Sequence, residues 1–147
     1  MFTVRLLRTQ RLAIGTLGAA AALALALALI ASPAAAADIS WANALGGNWN
    51  TGANWSGGSP PGASDNAIIT LAGTYTVTLD VNATVAGLTL GGATGVQTLL
   101  ASNRTLTLNG ASTIAPNGRL DLRASTVAGS GTLDNQGTLI CGAGRTA

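Results

Sequence analysis

Histidine, lysine and glutamate are missing from this 147-residue chain, and cysteine occurs once, at Cys141. Without His, a Ser/His/Asp or Cys/His nucleophilic arrangement is excluded in its usual form. One Cys and no His leave a mononuclear zinc site without a ligand set. A single Cys also excludes an intramolecular disulfide, so packing and strand pairing must carry the fold. Cys141 is expected as a small apolar residue stacked inside the fold. A thiol pairing between chains is the alternative. Charged residues make up only 8% of the chain, which leaves five Asp as the whole supply of side-chain carboxylates.

The few charges are unevenly placed. Arg5, Arg8 and Arg11 precede an Ala/Leu-rich apolar run from about Leu12 to Ala31, followed by Ser32-Pro33 and the small-residue stretch Ala34–Ala37. A basic start, an apolar middle and an Ala35-x-Ala37 site describe a helical signal peptide over residues 1–37, with Asp38 as the first mature residue. The whole chain carries +2. Loss of the leader removes three Arg and leaves four against five Asp, so the mature part is close to neutral at −1. It has no basic patch to follow phosphates, and nucleic acid is not an expected partner. The expected location is extracellular or at the cell surface. Membrane contact is expected only through the signal peptide or through a C-terminal anchor missing from this sequence.

What the mature chain does have is repetition. Short tripeptides recur every six to eighteen residues after position 76: Val77-Thr78-Leu79, Leu88-Thr89-Leu90, Leu106-Thr107-Leu108, Leu120-Asp121-Leu122, Gly131-Thr132-Leu133 and Gly137-Thr138-Leu139. In a strand the outer residues of each point one way and the middle residue points the other. Gly and Asn fill the gaps, and no amphipathic helix pattern appears after position 38. A strand of three to five residues cannot bury an apolar face alone, whereas a stack of such strands can. The expected fold is therefore all-β, a right-handed single-stranded parallel β-helix, or β-solenoid. Val77, Leu79, Leu88, Leu90, Leu106, Leu108, Leu120, Leu122, Leu133 and Leu139 are expected inside. Thr78, Thr89, Thr107 and Asp121 are expected outside. Asn103, Asn109, Asn117 and Asn135 fall near strand ends, where stacked amides would satisfy backbone groups at the bends.

Residues 38–64 read differently. Trp41, Trp49 and Trp55 lie there among Gly46-Gly47, Gly57-Gly58 and Pro60-Pro61, a composition of tight turns. The open end of a solenoid exposes core side chains and unpaired backbone groups. The segment is expected to form an irregular cap over that end, with the coil proper running from 65 to 147. The same three indoles are candidate glycan contacts, since aromatic faces suit sugar rings.

The run Gly47-Asn48-Trp49-Asn50, then Asn54-Trp55-Ser56-Gly57-Gly58, then Asp65-x-Ala67-x-Ile69, resembles the start of bacterial autotransporter-type and adhesin-type β-helix passenger proteins. Val85-Ala86-Gly87-Leu88-Thr89-Leu90-Gly91-Gly92 and Gly129–Leu139 are similar to rungs of their passenger regions. A more distant resemblance is to the eight-glycine extracellular domain. The resemblance covers most of residues 41–140 and implies a surface scaffold. Its counterpart in the intact family would end in a membrane barrel, and outer-membrane association follows from the resemblance for a full-length protein. The chain is accordingly expected to be a cap plus the first four to six turns of a longer protein.

The function expected is structural or adhesive and non-catalytic, with surface glycans or host and matrix proteins as partners and no cofactor. A glycan-binding module built on the tryptophans is the alternative, followed by a polysaccharide lyase or hydrolase. Stacked turns could bring Asp80, Asp121 or Asp134 together as the paired carboxylates that glycoside hydrolysis needs. Arg119, Asp121 and Arg123 form the one candidate polar patch. Self-association through an open C-terminal turn is also expected.

Overall fold

The computed structural model describes residues 35–142; most of the expected signal peptide, residues 1–34, lies outside them. Thirteen strands form, in chain order β1 (Asp38–Ser40), β2 (Gly47–Asn48), β3 (Asn66–Ile69), β4 (Tyr75–Leu79), β5 (Ala83–Val85), β6 (Gly87–Leu90) and β7 (Gln97–Ser102). They continue as β8 (Thr105–Leu108), β9 (Ser112–Ile114), β10 (Gly118–Arg123), β11 (Thr126–Ala128), β12 (Leu133–Asn135) and β13 (Thr138–Gly142). The only helical element among the described residues is one 3-10 turn, Gly52–Asn54.

The strands fall into three sheets that the chain visits in rotation: β1-β3-β6-β9-β12, then β2-β4-β7-β10-β13, then β5-β8-β11. Every strand pairing is parallel. From β3 onward a turn consumes between 19 residues, where Leu120 pairs with Leu139, and 24, where Thr89 pairs with Thr113; the first turn is longer, with Asp38 paired to Asn66 and Gly47 to Val77. The result is a parallel β-solenoid of about four turns.

Side-chain alternation makes this arrangement stable. In β4, Tyr75, Val77 and Leu79 point inward and are buried, while Thr76 and Thr78 face out. Val77 stacks on Leu99, which stacks on Leu120, so each inward position forms a column through the coil. Val85, Leu88, Leu90, Leu106, Leu108 and Leu122 are likewise buried. Full burial of such a side chain contributes about 1.5–3 kcal/mol over leaving it exposed. A slip of one residue would turn every column outward, which is why the Thr-Leu alternation fixes the register. Bends between the columns demand glycine where strands cross closely. Gly129 has φ +114, and a Cβ there would stand 2.0 Å from the Leu108 carbonyl oxygen.

Several strands lie outside the expected tripeptide series. β7 reads Gln-Thr-Leu-Leu-Ala-Ser, with Gln97 inward and buried. Its amide is nevertheless satisfied: Oε1 accepts from the Gly92 N–H at 2.7 Å, and Nε2 donates to the carbonyls of Thr94 and Gly73. Gln97 thus ties the bend before its own strand to the equivalent bend one turn earlier. Ser112 is buried in β9, where its Oγ accepts from the Leu88 N–H at 3.0 Å. The expected asparagine column does not form. Asn103 instead aligns with Ala124 at one corner, with φ of 54 and 50, and each reaches the turn above through its backbone N–H.

The last described turn departs from the expected inside set. Leu133 is half-buried, Leu139 is 40% exposed and Cys141 is exposed. Leu139 and Cys141 keep the inward register of Leu120 and Leu122. They are exposed because no further turn covers them among the described residues.

Candidate functional site

The segment expected as an irregular cap is more ordered than its composition suggests. It contributes β1 and β2, which extend two of the three sheets by one strand each. Beyond these strands the chain folds back across the first turn. Ser40 and Ser56 exchange hydrogen bonds: the Ser40 N–H donates to Ser56 Oγ at 3.0 Å, and the Ser56 N–H donates to the Ser40 carbonyl at 2.8 Å. Trp41 and Trp55 form an antiparallel bridge beside this pair. The outer side of β2 is covered similarly, since Asn54 Nδ2 donates to the Asn48 carbonyl and Asn43 Nδ2 to the Gly46 carbonyl. Buried backbone groups of an edge strand need such partners.

Inside this frame the three indoles fill the end of the core. Trp41, Trp49 and Trp55 are 2%, 1% and 2% exposed. Trp55 meets Trp41 and Trp49 edge to face, with centroids 5.0 and 4.8 Å apart, and Trp41 stacks on Tyr75 at 6.5 Å. Trp41 and Trp55 donate their indole N–H groups to the carbonyls of Asn43 and Trp49. The ring faces expected as glycan contacts are therefore turned onto one another and onto the first turn. A sugar ring has no access to them in this arrangement.

Tyr75 lies beneath this cluster. Burial pushes its phenol up to about 12, opposed in part by a backbone contact at Leu71. The contact is not a well-formed hydrogen bond, and the hydroxyl is left buried without a partner.

The second candidate lies on the outer face of β10. Asp121 alternates with the inward Leu120 and Leu122 and so points outward, as expected, yet it is only 4% exposed. Arg123 forks onto it, Nε to Oδ1 at 3.3 Å and an Nη to Oδ2 at 3.1 Å, while Arg119 reaches Oδ2 at 3.3 Å. Leu100 and Ile140 flank it on the neighbouring strands. The carboxylate is thus covered by a single layer of side chains lying on the sheet, rather than by depth in the protein. Hydrogen bonding from Arg123 is the main influence holding its carboxyl below the usual 3.8; burial opposes this, and Arg119 adds to it.

The coil does not bring the candidate acids together. Asp80 sits at the corner after β4, Asp121 in the second sheet and Asp134 in β12 of the first. Each of the five Asp accepts a local hydrogen bond instead. Asp38 accepts from Asn66 Nδ2, Asp65 from the Gly62 N–H, Asp80 from the Asn50 N–H, and Asp134 from Gln136 Nε2. Asp121 has its two arginines. Among the described residues no group of three potential metal ligands occurs.

Sequence reasoning located the tryptophans and the arginine patch but missed Ser56, Asn43 and Asn54, the polar residues that close the edge. Nothing in their spacing marks them, because their partners are backbone groups brought close only by the fold. Comparison with family models, with curated proteins and with solved structures finds no match. The chain is a parallel β-solenoid closed at its N-terminal end by three tryptophans.

Proposed function

We propose that this chain is a non-catalytic scaffold segment of an exported, cell-surface protein, displaying contacts from the outer faces of a stiff coil. One observation carries the reading: all five carboxylates are engaged in structural hydrogen bonds, Asp38, Asp65 and Asp80 at strand ends and corners, Asp134 within β12 and Asp121 beneath two arginines. A general acid or base needs a carboxyl free to reach a substrate atom. The tryptophans close the core in the same way. What remains outside is a surface of Thr, Ser, Asn and Ala on ordered strands, suited to broad and shallow contact. The adhesive role toward glycans or matrix proteins, and the passenger-type architecture, belong to this proposal.

Two experiments test it. Incubation with a panel of acidic and neutral polysaccharides, followed by assay of new reducing ends, should show no turnover. Turnover abolished by Asp121→Asn would overturn the non-catalytic reading. For export, mass spectrometry of the secreted product should find an N-terminus at Asp38. A product retained in the cell with Met1 intact would contradict that part.

A further inference from the structure

Charge is unevenly distributed around the coil. Among the described residues the arginines are Arg104, Arg119 and Arg123, and all lie on β10 or at the corner that follows the second sheet. The register sets Arg123 opposite Ser102, and the Arg104 N–H donates to Ser125 Oγ at 3.1 Å. Asp38, Asp65 and Asp134 lie within the first sheet or at its entry. Asp80 shares the arginine corner but stands two turns before Arg123. Two strand spacings are about 10 Å, beyond the screening length of about 8 Å at physiological salt.

Depth decides which charge meets solvent. The Asp121 side chain is 6% exposed, whereas those of Arg119 and Arg123 are 42% and 62% exposed. An anion approaching this face meets guanidinium first, with the carboxylate beneath. Asp121 takes two N–H donors of Arg123 and one of Arg119, and no other acceptor engages either side chain among the described residues. The remaining N–H groups of both forks are free for a ligand. Because Asp121 already holds the forks, little rotamer freedom is left to lose on binding. The neighbouring turns complete the face: Arg119 lies between Thr98 and Thr138, and Asp121 between half-buried Leu100 and Ile140. Outward side chains point away from the coil, so turns beyond β13 would lengthen this face without covering it.

Resting on the scaffold reading above, we propose that Arg119 and Arg123 bind the carboxylates of an acidic polysaccharide, a uronate polymer lying across the outer face of β7, β10 and β13. Guanidinium forks match carboxylate geometry. Leu100 and Ile140 offer aliphatic support to the C–H face of a sugar ring, and the threonine hydroxyls face its hydroxyls. Other polyanions fit this face less well. Both edges of β10 are already paired, so an acidic peptide has no edge here on which to add as a strand. Nucleic acid calls for a longer run of cations and for exposed aromatic platforms, and the three tryptophans are buried. No cavity opens among the described residues, which suits a chain ligand held on a flat surface.

The test measures binding of the purified chain to immobilised polygalacturonate, with neutral dextran and polyglutamate as comparison polymers. The chain should bind polygalacturonate, release it as sodium chloride is added, and leave dextran unbound. Polyglutamate, with the same carboxylates on a peptide backbone, should bind about ten-fold more weakly. Arg119→Gln and Arg123→Gln should each weaken polygalacturonate binding about ten-fold or more, as loss of a charge-assisted hydrogen bond requires. Arg123→Lys, which keeps the charge but loses the fork, should fall between Arg123→Gln and the parent. Thr138→Glu keeps Asp121 and both arginines but sets a competing carboxylate beside Arg119. It should weaken binding as strongly while leaving the fluorescence of the buried tryptophans unchanged. Absence of binding, equal binding to dextran or polyglutamate, or unchanged binding in the arginine and Thr138 variants would overturn the proposal. Those results leave the scaffold reading standing. New reducing ends released from bound polygalacturonate would overturn that reading instead.

Discussion

Trp55 donates its indole N–H to the carbonyl of Trp49 at 2.7 Å while its ring meets that of Trp49 edge to face, centroids 4.8 Å apart. The contact therefore combines apolar burial with satisfaction of the Trp55 indole N–H, which burial would otherwise penalise. It also joins the two ends of the fold-back segment, whose middle is the 3-10 turn at Gly52–Asn54.

Truncating either ring should open the N-terminal end of the core. Trp49→Ala and Trp55→Ala are each expected to lower stability by about 3–5 kcal/mol, the range for large aromatic truncations. Trp55→Phe should fall between these and the parent, because it keeps a ring but leaves the Trp49 carbonyl without its donor. Urea denaturation followed by circular dichroism measures all three.

Ala124 occupies a left-handed backbone conformation, φ 50, at the corner where the preceding turn has Asn103, φ 54. For an L-residue other than Gly, Asn or Asp this conformation costs roughly 1–2 kcal/mol. Ala124 is exposed, so substitution removes little packing. Ala124→Asn and Ala124→Gly are expected to raise stability by about 0.5–1 kcal/mol, and Asn103→Ala to lower it by a similar amount. A stabilising Ala124→Val, checked by the same urea denaturation, would contradict the assigned corner geometry.

Asp121 has a folded pKa below its ordinary 3.8. Its contribution to stability is therefore present above pH 3.8 and is lost as the pH falls through the lower folded value. Acid titration of the melting temperature should show this decline. Asp121→Asn should flatten it and should make the chain less stable near neutrality by leaving Arg119 and Arg123 without their acceptor.

Tyr75 gives the opposite pH limit. Its folded pKa is raised to about 12 from 10.0. The stability linked to its neutral form is complete below pH 10 and is lost as the pH rises toward 12. Tyr75→Phe removes both this alkaline sensitivity and the buried hydroxyl that lacks a partner. The variant should be equal to the parent or about 1 kcal/mol more stable near neutrality. A loss above 2 kcal/mol would show that the hydroxyl makes a stabilising hydrogen bond.

The architecture was legible where Leu or Val stood on both sides of one outward Thr or Asp. Val77, Leu88, Leu106 and Leu120 gave both the period and the facing of their strands. The strands that escaped notice are those whose inward positions hold Gln97, Ser112 or Ala83, where bends and neighbouring turns supply partners that no local pattern announces. Asp121 was correctly placed outward but not foreseen as covered, because Arg119 and Arg123 fold onto it between Leu100 and Ile140, which lie one turn away in each direction. Cap closure was inferred from tryptophan content alone. Its strands β1 and β2 were not, since two or three residues carry too short a pattern to separate from a turn.

Residue-resolved hydrogen exchange is the most direct test of a coil held by stacked parallel turns and sealed at one end. Amides of β4, β7 and β10 and the indole N–H of Trp55 should exchange slowest, together, at a rate set by global unfolding. Protection should fall toward β12 and β13. Fast exchange of the Trp55 indole with a protected coil would contradict the cap, and uniformly fast exchange across β4, β7 and β10 would contradict the solenoid itself.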